Sequence, residues 1–328
     1  MKEIKVSVIV PIYNVEKYIE RCVRSLMGQT LEDIEYIFVN DCTPDKSIEI
    51  LQKVIQDYPQ RLKNIHILNN QTNRGVSYSK NQGINHACGE YLIFCDSDDW
   101  IEPDMYEKLY NHAISENADI ACCEFWDDFV SEKVLRKESY YASTNENIKA
   151  MLQTRIHGSN CNKLVKKTLY SEHSIKFPNG INMWEDLYTS VRLFYYSQKI
   201  TYIPQAFYHY FQQNSDSLVN NLSLKKIEER IEICNLIEKF FHTNNAMEDF
   251  TPALQQRKLW AKMEFAADKS LKDFNHWREL WLDANSQIVQ STFSTFNKLV
   301  FILVDKKLDS LASILLNLKY FIKRIYNN

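Results

Sequence analysis

Three carboxylates fall within four positions, at Asp96, Asp98 and Asp99, directly after the apolar run 91–95 (YLIFC). Crowded carboxylates repel one another and are tolerated where a cation or hydrogen-bond donors offset their charge. A hard divalent ion, Mn2+ or Mg2+, takes a few such oxygens and completes its shell from phosphates. The competing reading is a solvated acidic turn that caps the following helix, since Trp100 and Pro103 come next. A second carboxylate pair, Glu185 and Asp186, follows Met183-Trp184 and opens an amphipathic stretch through Tyr196. One carboxylate within hydrogen-bond reach of an alcohol serves as a general base. Two at a helix start otherwise do no more than complement the helix dipole and cap it. His209 lies among aromatics, where it either supplies a metal or phosphate contact or packs as a core residue.

The elements that position these groups follow from periodicity. Residues 6–11 (VSVIVP) form a nearly continuous β-branched run, as in a central parallel strand. Tyr18, Ile19, Cys22, Val23 and Leu26 then recur at helical spacing. A second strand over 34–40 ends in Asp41, with Thr43 or Asp45 placed to cap a helix over 47–58. A third strand over 65–69 leads to a helix over 76–87, with Gly89 as its C′ residue. The β-α-β-α-β-α-β order predicts a doubly wound, mostly parallel sheet. Ligands then sit beyond the carboxyl ends of the strands, where Asn14, Asp41 and the Asp96–Asp99 group gather. Asp41 taken alone is as readily a turn former.

Composition narrows the class. The chain has 328 residues, 45% hydrophobic and 25% charged, enough for two or three globular domains. A net charge of −3 speaks against a nucleic-acid partner. Eight cysteines without a CxxC pair, and no signal-peptide pattern, predict reduced thiols in a cytoplasmic protein. No run reaches the roughly 18 apolar residues of a membrane span. Neither GxGxxG nor GxxxxGK[ST] occurs, which removes support for dinucleotide and P-loop binding.

The segments VSVIVPIYN (6–14), SLMGQT (25–30), VNDCTPD (39–45), NRGVSYSKNQGINHACGEYLIFCDSDD (73–99) and WED (184–186) occur in the order of the inverting family 2 glycosyltransferases. Together they resemble that family to roughly residue 218. The resemblance implies the GT-A fold, with a nucleotide-sugar-binding half (1–105) and an acceptor-binding half (106–218); beyond it, helical spacing from Leu222 onward predicts an all-α domain (219–328). It implies that Pro11, Tyr13 and Asn14 line a nucleotide pocket and that Asp41 accepts a hydrogen bond from uracil. Asp96, Ser97 and Asp98 match the Asp-x-Asp motif, with Asp98 on the metal and Asp96 or Asp99 on ribose or sugar hydroxyls. Lys80 stands where the family often has Arg near the diphosphate. Asp186 is implied as the base, with Glu185 holding hydroxyls or the loop. Gln212 and Ser217 occupy the segment that closes on the diphosphate, with Gln212 where an Arg is common. Cys42 replaces a common Gly, which predicts a reshaped loop, and Cys161 replaces a common Trp.

The expected reaction is transfer from a UDP-sugar donor to a glycan or lipid-linked glycan acceptor. A nucleotidyltransferase would share the sheet and the acidic site, but IYNVEKY (12–18) is not the Gly-rich basic loop it needs. A catalytically degenerate binding module remains as a third class. The final stretch, 299–326, reads as one helix carrying Lys/Arg at 306, 307, 319, 323 and 324. Such a basic amphipathic helix binds a membrane surface, self-associates or packs on its own domain.

Overall fold

The computed structural model describes residues 3–129, 131–214, 223–268 and 270–326, the last four of these as backbone only. The first strands are β1 (Val6–Ile12), β2 (Ile34–Asn40), β3 (Ile65–Asn69) and β4 (Tyr91–Phe94). They pair in parallel in the order β3-β2-β1-β4. Helices α1 (Ile19–Met27), α2 (Ser47–Ile55) and α3 (Val76–His86) are the crossovers between them. After β5 (Trp100–Ile101) come α4 (Met105–Ser115), β6 (Ile120–Asp128), β7 (Lys133–Arg136) and α5 (Thr144–Leu152). Next are β8 (Lys163–Lys166), α6 (Lys167–Glu172), α7 (Glu185–Tyr196) and β9 (Ile200–Phe211). The same sheet continues from β4 through β8, β6, β9 and β5, with β7 hairpinned onto β6. Here only β6–β9 is parallel, and the other pairings are antiparallel.

β9 carries no sequence signal of its own because Pro204 interrupts it. Proline lacks the ladder N–H and is accommodated at bulges. The β6–β9 register shifts on either side of Glu124, opposite this proline.

Burial follows the sequence pattern closely in the parallel half. Val6, Val8, Ile9, Val10 and Ile12 are all fully buried. Each such side chain contributes roughly 1.5–3 kcal/mol on leaving water. α3 lies against β1 because Gly83 has no side chain there. A Cβ at Gly83 would sit 2.3 Å from Ile9 Cγ2. Gly89 is not the left-handed C′ residue that was expected. α3 ends at His86 with Ala87 extended, and Gly89 instead allows close passage past Ser7, where a Cβ would lie 2.7 Å from its backbone nitrogen.

The chain divides into two compact units, 1–148 with 157–221 and 149–156 with 222–328. The second contains α8 (Leu224–Thr243), α9 (Met247–Lys262), α10 (Glu264–Ala267) and α11 (Phe274–Glu279). It closes with α12 (Thr295–Asp305) and α13 (Asp309–Tyr326), and its core gathers around Trp277, Phe301, Ile227 and Leu259. The single helix expected over 299–326 is thus two. Lys307 turns left-handed (φ 59°), and Leu308 N–H reaches back to the Leu303 carbonyl at 2.8 Å. That six-to-one bond is a Schellman stop, which ends a helix even without glycine.

The strand ends that face α1 and α2 also turn left-handed, at Asn14 (φ 55°) and Cys42 (φ 58°). They are tied together by Asp41 N–H to the Ile12 carbonyl (3.0 Å) and Asn14 N–H to Thr43 Oγ1 (2.8 Å). Cys42 takes a backbone that glycine adopts freely, at a cost of roughly 1–2 kcal/mol for a residue with a Cβ. Cys42→Gly is expected to raise stability by about 1 kcal/mol, read as a higher urea midpoint at unchanged slope. A lower midpoint would show that the thiol contributes more than the backbone strain removes.

Candidate active site

β4 is buried on both faces and ends at Cys95, whose N–H still bonds the Ile9 carbonyl of β1 at 3.0 Å. The chain then leaves the sheet, and the four following residues alternate in exposure. Asp96 and Asp98 are half-buried, whereas Ser97 and Asp99 are buried. Asp99 is not a contact for ribose or sugar hydroxyls as expected. It is fully buried, and its carboxyl accepts from Tyr208 Oη and from Phe211 N–H (2.8 Å). Burial, with Asp98 and Asp96 beside it, holds that carboxyl well above the usual range. Asp99 thus fastens the β4 end to β9.

Asp98 and Asp96 remain as the accessible pair. Asp98 Oδ2 accepts from Asn214 Nδ2 at 2.7 Å, and Arg21 donates to the Asp98 carbonyl at 3.1 Å. Burial raises the Asp98 carboxyl above its ordinary value. Asp96 is raised to about 6, burial outweighing the opposing pull of Lys80. Its Oδ2 accepts from the buried Cys161 thiol at 3.5 Å. Among the described residues, no three His, Cys, Asp or Glu side chains form a ready ligand cage. The donor set present is one or two hard carboxylates, which fits Mn2+ or Mg2+ sharing its shell with phosphates. Asp98 would hold such an ion, with Asp96 beside it.

His209 does not join them. Its ring stacks on Trp100 at 3.4 Å between centroids, and its Nε2 pairs with Glu102 at 2.9 Å. It is 1% exposed, and burial lowers its proton affinity. The histidine is a packed core residue, as its aromatic neighbours in sequence allow.

The second carboxylate pair opens α7. Trp184, just before it, is held left-handed (φ 63°), so the chain turns sharply and presents Glu185 and Asp186 in the first helical turn. Asn160 and the Gly158 carbonyl brace that helix through Ser190 Oγ, at 2.6 and 3.0 Å. Lys80 rises from α3 between the two carboxyls. Its ammonium donates to Asp186 Oδ1 at 2.6 Å and to Glu185 Oε1 at 3.1 Å. The lysine was expected beside the diphosphate, but it is 2% exposed and its described polar contacts are these carboxylates. Burial opposes its charge, yet Asp186, Glu185 and Asp96 hold its proton affinity well above the ordinary value. Burial also lifts Glu185 to about 7 despite Lys80. Asp186 keeps more solvent access, its side chain 19% exposed against 9% for Glu185.

The remaining predicted residues lie at neighbouring strand ends. Asp41 Oδ1 accepts from Asn70 Nδ2 and Arg74 N–H, and Oδ2 from Gly75 N–H, all within 2.9 Å. A carboxylate oxygen takes about two donors, so Oδ2 has one place left. Pro11 is the next-to-last residue of β1, Asn14 lies just past its end, and Tyr13 before Asn14 is 47% exposed. Gln212 reaches Asp127 Oδ1 at 2.9 Å, and Ser217 lies outside the described residues. Tyr208, Asn214 and Arg21 were missed. Their sequence signals were an aromatic-rich segment, an asparagine after it, and one of the two arginines on α1, none distinctive by type or spacing.

The family model for Glycosyl transferase family 2 matches residues 7–173, which contain the acidic strand end and its neighbours. The chain belongs to that family. EpsH of Bacillus subtilis (strain 168) is 31% identical over 257 residues, 76% of this chain and 72% of that protein. S. aureus TarS 1–349 in complex with UDP-GlcNAc superposes with TM-score 0.72 at 18% identity, over 96% of this chain and 91% of that one. Mannosyltransferase PcManGT from Pyrobaculum calidifontis, with GDP-Man and Mn2+, has TM-score 0.53 at 14% identity, over 96% and 85%. The chain spans between 30% and 77% of the length of curated relatives it matches. It is a glycosyltransferase of the GT-A fold, with a helical C-terminal region.

In this glycosyltransferase Lys80 is the countercharge for a buried carboxyl, Glu185, and a half-buried one, Asp186. Removing one partner of a buried ion pair strands the other and costs about 3–5 kcal/mol. Lys80→Met is expected to lose stability in that range by urea denaturation, and adding Glu185→Gln is expected to recover part of it. Additive losses in the double variant would break the coupling.

Glu185 gives a pH signature of defined sign. Its proton is held to about pH 7 in the folded enzyme, against an ordinary value of 4.5. Between those values the folded chain binds more protons than the unfolded chain, so this group's contribution to stability falls as pH rises. The contribution is fully present below pH 4.5 and lost through pH 7. Glu185→Gln is expected to flatten that slope in urea midpoints followed from pH 5 to 7.5, buffer values spanning about that window.

Proposed function

We propose that this glycosyltransferase moves a hexose or N-acetylhexosamine from a UDP-sugar to a hydroxyl of a cell-surface glycan (capsule, lipopolysaccharide or related polymer), inverting the anomeric centre. The observation that carries this reading is the disposition of two acidic sites. Asp96 and Asp98 lie at the end of β4, while Asp186 opens α7 and is bridged to α3 by Lys80. Single displacement needs a base on the acceptor side of the sugar and charge neutralisation on the leaving diphosphate.

In this reading Asp186 accepts the proton of the attacking hydroxyl. Lys80 orients its carboxylate, and buried Glu185 fixes the lysine from the other side. Asp41 receives the uracil N–H on its remaining Oδ2 position, and Pro11, Tyr13 and Asn14 wall the base and ribose. Asp96 and Ser97 face the sugar and ribose hydroxyls, and Gln212 and Ser217 belong to the segment near the diphosphate. Asp98 would hold Mn2+ or Mg2+, which would supply positive charge to offset the negative charge on the departing diphosphate. The acceptor places the enzyme in the cytoplasm, peripheral on the inner face of the membrane. No helix among the described residues is long and apolar enough to cross a membrane.

The test pairs one variant with one panel. Asp186→Asn is expected to lower transfer by at least about a hundredfold while UDP and Mn2+ together still raise the melting temperature. Release of nucleotide from UDP-, GDP-, dTDP- and CMP-sugars then names the donor. Equal transfer by the variant sinks the base assignment, and turnover confined to a GDP-sugar sinks the UDP assignment.

A further inference from the structure

α13 has two apolar faces where a packed surface helix needs one. Ala312 and Leu316 point into the helical core and are buried, with Leu315 and Tyr320 packed beside them. Leu311, Ile314, Leu318, Phe321 and Ile322 point the other way and are 45–62% exposed. At 100° per residue they share an arc of about 100°, a continuous stripe rather than scattered exposure. Leu308, 46% exposed, extends it into the turn from α12. A contiguous apolar stripe of this kind marks an interaction surface.

Charge identifies the partner. Lys306 and Lys307 are exposed in the turn beside Leu308, and Lys319 is exposed on the helix. The acidic residue at the helix start, Asp309, is turned toward the domain by Arg278, whose Nη1 lies 2.6 Å from Asp309 Oδ1. Asp305 lies 3.8 Å from Lys306 Nζ and the Lys319 ammonium sits 5.0 Å over the Phe296 ring, so three lysines stand against two aspartates and the rim is cationic on balance. A second copy docked by a two-fold axis would bring lysines against lysines, which opposes association. An anionic lipid surface meets both features at once. Eighteen residues span about 27 Å as a helix, yet no window is apolar enough to cross a bilayer, so the helix suits the interface plane.

We propose that the outward face of α13, with the Lys306-Lys307 turn, docks on an anionic phospholipid bilayer and lies parallel to its plane. This rests on the peripheral location in the reading above and assigns it to named residues. The contribution of each lysine near such a surface is about 1 kcal/mol, so a lysine pair is worth roughly tenfold or more in affinity.

The full chain is mixed with vesicles of phosphatidylglycerol and phosphatidylethanolamine, or of phosphatidylcholine alone, and sedimented. Binding is expected on the anionic vesicles and to weaken with salt. Leu318→Gln with Phe321→Gln, or Lys306→Ser with Lys307→Ser, is expected to lower it about tenfold or more. Both pairs are exposed, and unchanged circular dichroism and unchanged nucleotide release from the UDP-sugar check that the fold is intact. No sedimentation with anionic vesicles overturns the proposal. So does equal binding to the neutral vesicles. A dimer in size-exclusion chromatography that Leu318→Gln with Phe321→Gln dissociates assigns the face to a second copy instead. Failure here with intact nucleotide release leaves the transfer reading standing, and the reverse result leaves the surface standing.

Discussion

A buried ammonium between a buried carboxyl and a half-buried one is the constraint on which the rest of the site depends. Lys80 sits on α3 and Glu185 and Asp186 on α7, segments more than a hundred residues apart in the chain. Neither element can shift without stranding a charge away from water, where an isolated ion is strongly disfavoured. α3 in turn is pressed on β1 through Gly83, so the position of Lys80 is set by the central strand. The same cation also acts on Asp96, which couples the carboxylates of α7 to those after β4. Geometry at one acidic site is thereby transmitted to the other.

The Asp96–Asp99 group illustrates how one short motif is divided between structure and chemistry. Asp99 points inward and bonds Tyr208 and the backbone of Phe211. Tyr208 also receives the Asp96 N–H at 3.1 Å, so one phenol organises both ends of the motif. Asp96 and Asp98 keep access to solvent as a result. Burial raises the proton affinity of both carboxyls. Cys161, where a tryptophan is common in the family, leaves a small thiol against Asp96 and a less bulky wall on that side.

The helical unit obeys the same physics with a different outcome. Its core closes on Trp277 and Phe301, and the buried Lys262 ammonium donates to the carbonyl of Trp277 at 2.9 Å. α13 satisfies that core with one face and still carries a second apolar face outward. Such a surplus is unfavourable in water and becomes favourable against an apolar partner.

The parallel half of the sheet was legible in the sequence because its signals are local. β-branched runs buried on both faces, helical spacing between them and polar residues at strand ends all lie within a few residues of one another. Asp41, Asp96, Asp98 and the Glu185-Asp186 pair stood out by the same local signals, and the order of short motifs identified the family. Tertiary structure decided what depends on distant partners. Lys80 was drawn to two carboxyls rather than to a phosphate, and His209 went to Trp100 and Glu102. Asp99 went to β9, a strand hidden in sequence by Pro204, and the last helix broke at Lys307 with no glycine or proline to announce it. Residue type and spacing state which groups are able to do chemistry. Which of them reach solvent, and which are consumed in holding the others, is settled by contacts between segments far apart in the chain.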